Sequence, residues 1–150
     1  MKRVICLNVL VVLLLFVSCK GDDMLCCPQP NISNTNCALE IVVNEVAYNQ
    51  LQSASYTITN AQITGNCLSI TISTSGCNPD NWIMNLVASE VVVEPQPNQI
   101  NTKVILVNNE ACTAVFQKTV AFNISALQIT NQNQVQINLP GWSTPLMYQY

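Results

Sequence analysis

Histidine is absent from this chain of 150 residues, arginine occurs only at Arg3, and charged side chains make up 9% of the composition. Each shortage excludes a class of chemistry. Without an imidazole, no Ser-His or Cys-His nucleophile pair can form. With five cationic residues in all, there is no basic stripe to displace counterions from phosphates, so nucleic acid is excluded as a partner. Acidic polysaccharides and anionic lipid headgroups fit poorly for the same reason. The close cysteines, Cys26 beside Cys27 and Cys27 with Cys37, lack the C-x-x-C spacing of a zinc knuckle. A calcium loop wants roughly 6–8 oxygens, and Asp80 brings one carboxylate with Asn78 and Asn81 for company. No metal or other cofactor is expected.

Long apolar runs are missing too, save one. Val4 to Val17 is apolar apart from Asn8 and follows the positive Met1-Lys2-Arg3. It is shorter than the roughly 20 residues that span a bilayer, and it suits the hydrophobic segment of a secretion signal. The run ends in Phe16-Val17-Ser18-Cys19. A small residue directly before a cysteine at this point resembles the lipobox of bacterial lipoproteins, although Phe16 stands where that family usually has leucine. The resemblance implies cleavage before Cys19, diacylglycerol on its sulfur and a palmitate-type acyl chain on the new amine. Lys20-Gly21-Asp22-Asp23 resembles the surface-export signal of Bacteroidetes lipoproteins. That likeness implies that Lys20, Asp22 and Asp23 direct the chain to the outer face of the outer membrane; as bare residues they are a solvated charged tether. The expected organisation is a signal peptide over residues 1–18, a lipidated flexible tether over 19–37 and a folded domain over 38–150.

Lipidation would set the thiol parity. Cys6 leaves with the signal and Cys19 is blocked, so Cys26, Cys27, Cys37, Cys67, Cys77 and Cys112 remain, an even set. In an exported chain such cysteines form structural disulfides, but counting alone does not choose their connectivity. The mature chain carries three lysines against eight carboxylates, a net charge of −5.

Gly65-Asn66 and Ser75-Gly76 bracket a stretch in which Leu68, Ile70 and Ile72 alternate with Ser69, Thr71 and Ser73. The period of two predicts a half-buried strand with a cysteine at either end. Residues 40–44 predict a strand followed by a turn or short helix, although Leu39, Val42, Val43 and Val46 also make a helical stripe. Tyr56 to Ile63 predicts a further strand. Trp82 to Val87 predicts one buried on both faces, before the break at Glu94-Pro95-Gln96-Pro97-Asn98. Lys103 to Val107 and Thr113 to Phe122 flank Asn108-Asn109-Glu110-Ala111 and predict a hairpin. Ser125 to Leu127 reads as one helical turn, Gln134 to Leu139 as an alternating strand, Pro140-Gly141 as a turn, and Leu146, Tyr148 and Tyr150 as one side of a closing strand. This spacing predicts an all-β fold, a single antiparallel, immunoglobulin-like β-sandwich of about 7–9 short strands. Cys77 at a strand end and Cys112 at a hairpin base favour a Cys77–Cys112 bond, with Cys37 then able to reach Cys67.

The stretch Gly65 to Thr71, the Ser-Gly-Cys at 75–77, the run Asn109 to Phe116 and the Tyr-Gln-Tyr at 148–150 are similar to small surface lipoproteins of Bacteroidetes-type bacteria. That likeness implies no activity. Glu90 and Glu94 share strand parity, but a pair of solubilising charges at a sheet edge accounts for them. A Ser-Lys pair finds no support at Lys103 or Lys118, whose neighbours are polar. The sequence thus predicts a lipid-anchored protein of the bacterial cell envelope that is not an enzyme and acts as a binding or structural module. Its contacts would lie in loops 78–81, 94–100 and 140–144. Two other readings stand beside it: an inhibitor of secreted proteases, and a glycan-binding accessory lipoprotein using Trp142, Tyr148 and Tyr150. Trp82 is expected in the core.

Overall fold

Alternation in the sequence becomes alternation in burial. Leu68, Ile70 and Ile72 are completely buried, while Ser69, Thr71 and Ser73 lie on the other face, half-exposed. The computed structural model describes residues 37–94 and 97–150. The signal peptide, Cys19, the Lys20, Asp22 and Asp23 cluster, and Cys26 and Cys27 lie outside the described residues. The elements in order are β1 (Leu39–Glu40), β2 (Val42–Val43), α1 (Glu45–Gln50), β3 (Thr57–Thr64), β4 (Cys67–Ser75), β5 (Ile83–Val93), β6 (Gln99–Val107), β7 (Val115–Asn123), β8 (Gln134–Asn138) and β9 (Leu146–Gln149). Short 3-10 turns occupy Pro79–Asn81 and Ser125–Leu127.

Two sheets face each other, one in the order β1-β7-β4-β3 and one in the order β2-β5-β6-β8-β9. The expected all-β sandwich is found, with nine strands among the described residues. Its sheets are mixed, because β1 runs parallel to β7, β2 to β5 and β6 to β8. The connections explain this. After β6 the chain spends β7 in the other sheet and returns as β8 in its original direction. Between β1 and β2 it changes sheets at Ile41, whose N–H donates to the Asn123 carbonyl at 3.1 Å and whose side chain is buried in the core. Residues 40–44 are thus two strand fragments in two sheets, followed by the short helix.

Asn44 starts α1 because its side chain accepts from the Ala47 N–H at 2.7 Å, satisfying one of the donors that a helix start leaves open. The helix packs against β5. Val87 and Ile105 are buried yet lie outside the central cluster, as residues covered from the sheet's outer side would. Ile83, on the same strand parity as Val87, stays 58% exposed, so β5 is buried on both faces along only part of its length. β8 pairs only with Gln99–Asn101 of β6. The rest of that edge is taken by residues 53–56: Leu106 bonds to Ser53 Oγ and the Ala54 N–H, and the Tyr56 hydroxyl donates to the Val104 carbonyl. Covering an open edge removes a site for strand pairing between molecules.

The predicted hairpin around Asn108-Asn109-Glu110-Ala111 does not form. β6 pairs with β5 and β8, and β7 pairs with β4 and β1 in the opposite sheet. Residues 108–114 are a crossing between sheets, and alternation within two successive strands reads the same for a crossing as for a hairpin.

The interior holds Leu68, Ile70, Ile72 and Phe122 from one sheet against Met84, Leu86, Val104, Leu106, Val135, Ile137 and Tyr148 from the other. Burying each such side chain contributes about 1.5–3 kcal/mol. Ile70→Ala, in the middle of β4, is expected to cost about 2–5 kcal/mol, cavity included. Urea unfolding checks this as a lower midpoint with an unchanged slope.

Candidate functional site

Two places gather polar side chains. The first is the end of the sandwich where β4 passes to β5 and β6 passes to β7. Cys77 and Cys112 are bonded there with Cα atoms 5.0 Å apart, and Cys37 and Cys67 are bonded with Cα atoms 5.5 Å apart. Beside the Cys77–Cys112 bridge, Glu110 binds the opposing loop. Its Oε2 accepts from the Cys77 N–H at 2.7 Å, the Asn78 N–H at 3.0 Å and the Trp82 indole N–H at 2.9 Å, and its Oε1 accepts from Asn81 at 3.0 Å. The Asn81 amide, with the Asn78 and Cys77 backbone and the Trp82 indole, holds the carboxyl at about 2, well below its ordinary value of 4.5. These four bonds tie the crossing from β6 to β7 onto the crossing from β4 to β5. Lys118 closes the same corner by donating to the Pro79 and Trp82 carbonyls.

Glu45 is engaged in a similar way. Its Oε2 accepts from the buried Ser89 hydroxyl at 2.6 Å and the Glu90 N–H at 3.0 Å. The Ser89 and Asn49 bonds lower its pKa. These contacts brace the irregularity in β5 between Ala88 and Val92. Lys103 donates to the Leu51 carbonyl and lies over the Tyr48 ring.

The second place is the outer face of β6, β8 and β9. The parallel register sets Gln99 against Gln136 and Asn101 against Asn138, and the antiparallel one sets Gln134 against Gln149. Gln136 donates to Asn138 Oδ1 at 2.9 Å, and Asn138 donates to both Gln99 Oε1 and Asn101 Oδ1 at 3.0 Å. The ladder continues into the loop after β8. Pro140 and Gly141, the latter at φ 87°, make a turn closed by the Trp142 N–H on the Leu139 carbonyl, as a type II turn requires. Between this loop and β8 lies a cleft of about 270 Å³ lined by Gln136, Asn138, Trp142, Ser143, Thr144 and Pro145, among others. Trp142 also borders a hollow of about 410 Å³ with Ile58, Gly141 and Ser143. Its ring packs against the core, and its buried indole N–H finds no acceptor. No charged residue occurs anywhere in 119–150.

The expected contact aromatics divide. Trp142 lines the cleft. Tyr148 is corrected: its ring is completely buried, and its hydroxyl donates to Asn66 and accepts from Gln128, so it is core and not a contact residue. Burial raises its pKa. Tyr150 packs against it with ring centroids 4.9 Å apart and ring planes tilted by 45°, and its hydroxyl accepts the Ile129 N–H. Trp82 is buried, as expected. Glu110 and the Gln99, Asn101 and Asn138 set were not singled out by sequence. No local pattern ties an isolated acid to donors some 30 residues away, whereas the polar face of β8 was plain in its alternation.

No family model and no curated protein sequence matches the chain. Among solved structures, it is similar to a protein of unknown function, DUF1344, from Bacteroides vulgatus, with a TM-score of 0.52 and 14% identity. The match covers 75% of this chain and 56% of that one. It is also similar to a NigD-like immunity protein from Bacteroides caccae, with a TM-score of 0.53 and 6% identity over 74% of this chain and 64% of that one. At such identities the likeness shows the fold alone, and the chain spans less than two thirds of either structure.

Two outcomes test the Glu110 corner. Its folded pKa lies below the ordinary value, so its stabilisation is complete above pH 4.5 and is lost as pH falls towards about 2. Thermal melts over that window should therefore fall less steeply for Glu110→Gln than for the native protein, and equal slopes would contradict the assignment. A Cβ on Gly76 would lie 2.7 Å from both Glu110 Oε2 and Trp82 Cζ2. Since the Trp82 ring is buried, Gly76→Ala should destabilise by about 1–3 kcal/mol in denaturant titration.

Proposed function

We propose that this protein is an exported, lipid-anchored protein of the bacterial outer membrane whose sandwich serves as a non-catalytic binding module. The observation that carries the reading is the pair of bonds Cys37–Cys67 and Cys77–Cys112. Disulfides of this kind persist in oxidising compartments, and their pairing leaves Cys19 outside the domain's own cross-links, where an acyl anchor would be attached. Burial of acyl chain contributes about 0.8 kcal/mol per CH₂, so chains on both the sulfur and the amine would hold the protein firmly. The Lys20, Asp22 and Asp23 cluster is the signal that would carry it to the cell surface.

The binding role is supported by the state of the charged groups. Glu110 and Glu45 are saturated by hydrogen bonds, and Lys103 and Lys118 are spent on main-chain carbonyls. Apart from these groups, the outer face of β6 and β8 offers a partner an uncharged row of amides and its cleft. The description of one structural neighbour as an immunity protein is in keeping with a role exercised without catalysis.

Intact mass spectrometry of the protein purified from membranes is the test. The expected species begins at Cys19 and carries acyl mass that survives reduction, and the protein enters the detergent phase on phase separation. A different N-terminus, or recovery in the aqueous phase, would remove the anchor and with it the compartment.

A further inference from the structure

We infer that the amide face of β6 and β8, with the Trp142 cleft, binds a neutral glycan. The inference rests on reading the sandwich as a binding module and names its ligand class. Three observations converge on it. First, the surface is polar but carries no charged side chain: the ladder Gln99, Asn101, Gln136 and Asn138 is built of amides, and residues 119–150 hold no aspartate, glutamate, lysine, arginine or histidine. Such a surface offers nothing to a phosphate, a metal ion or a charged peptide, and its amides disfavour a purely apolar ligand. Hydroxyl groups, which both donate and accept, are what paired amide N–H and C=O groups match.

Second, the ladder is organised in advance. Its internal bonds use the Gln136 N–H and the carbonyls of Gln99 and Asn101. They leave the Gln136 carbonyl and the Gln99 and Asn101 amide N–H groups to alternate as acceptor and donors along rigid strands. Fixing polar groups before binding lowers the ordering cost that a flexible site would incur. Third, the tryptophan sits where a sugar ring needs an apolar partner. Trp142 lines a cleft of about 270 Å³ together with Ser143 and Thr144, below the roughly 300–1,000 Å³ of drug-sized pockets and suited to one residue of a polymer at a time. Its indole N–H is buried and without an acceptor, a cost that a ligand oxygen would relieve after a small shift of the loop.

The experiment is affinity electrophoresis of the full-length protein, held in a detergent without a sugar headgroup, through gels containing a β-glucan, a mannan or an α-glucan. Polygalacturonate serves as the acidic control. At least one neutral polymer should retard the native protein. Trp142→Phe and Gln136→Ala should each weaken that retardation by about tenfold or more, while Gln117→Ala, exposed on the opposite sheet, should not. Gln136 is half-exposed, so its variant reports on binding even if the Trp142 variant unfolds. The inference is overturned if no neutral polymer retards the protein, if retardation survives both substitutions, or if polygalacturonate acts equally. Silence of the gels leaves the lipid anchor standing, since that is read by mass; a missing anchor leaves glycan retardation to be read by itself.

Discussion

Two chain crossings meet at one end of this sandwich, and a carboxylate and a disulfide tie them together. The passage from β4 to β5 and the passage from β6 to β7 each leave one sheet for the other. Cys77 lies in the first and Cys112 in the second, and Glu110 in the second binds four donors of the first. The bridge closes a separation of 35 residues, a constraint of the kind that typically contributes about 2–4 kcal/mol by restricting the unfolded chain. Because the two β strands on either side of each crossing belong to different sheets, fixing the crossings fixes how the sheets face one another. Gly76 is required there for space: any Cβ would meet the acid and the indole it binds.

The same logic holds where the chain enters the domain. Cys37 is bonded to Cys67 at the start of β4, and two residues later β1 pairs with β7. Ile41 then carries the chain across the core. A segment of two short parallel strands has little pairing energy of its own, so the covalent bond on one side and the buried isoleucine on the other hold it in place. The tether expected before residue 38 would thus be joined to the domain at a stapled point.

Much of this was legible in the residues. The period of two in Leu68-Ser69-Ile70-Thr71-Ile72 and in Val135-Gln136-Ile137-Asn138 located β4 and β8, and Cys77 at a strand end and Cys112 at an expected hairpin base were matched, although that hairpin is in fact a crossing between sheets. What failed did so for a physical reason. Val104 to Val107 and Val115 to Phe122 alternate as hairpin arms would, and alternation records which face is buried without recording which sheet lies beneath it. Residue pattern leaves Tyr148 open between core and contact surface, because its polar partners, Asn66 and Gln128, are distant in sequence. The amide ladder was half visible: Gln136 and Asn138 marked an outer face, but Gln99 and Asn101 join them only through a parallel register formed after β7 has intervened. Glu110 gave no sign of its role, since an acid among Asn108, Asn109 and Ala111 is an ordinary loop sequence.

The resulting division of labour explains how a chain so poor in charge holds its turns and crossings in place. Glu45, Glu110, Lys103 and Lys118 brace turns and crossings, and the outer face of β6 and β8 stays open as a row of amides beside the Trp142 loop. Peptide mapping after pepsin digestion without reductant tests the central constraint most directly, because acid suppresses thiol exchange. The account predicts linked peptides joining Cys77 to Cys112 and Cys37 to Cys67. Recovery of Cys77 or Cys112 bonded to Cys26, Cys27 or any other cysteine, or as a free thiol in freshly prepared protein, would contradict it.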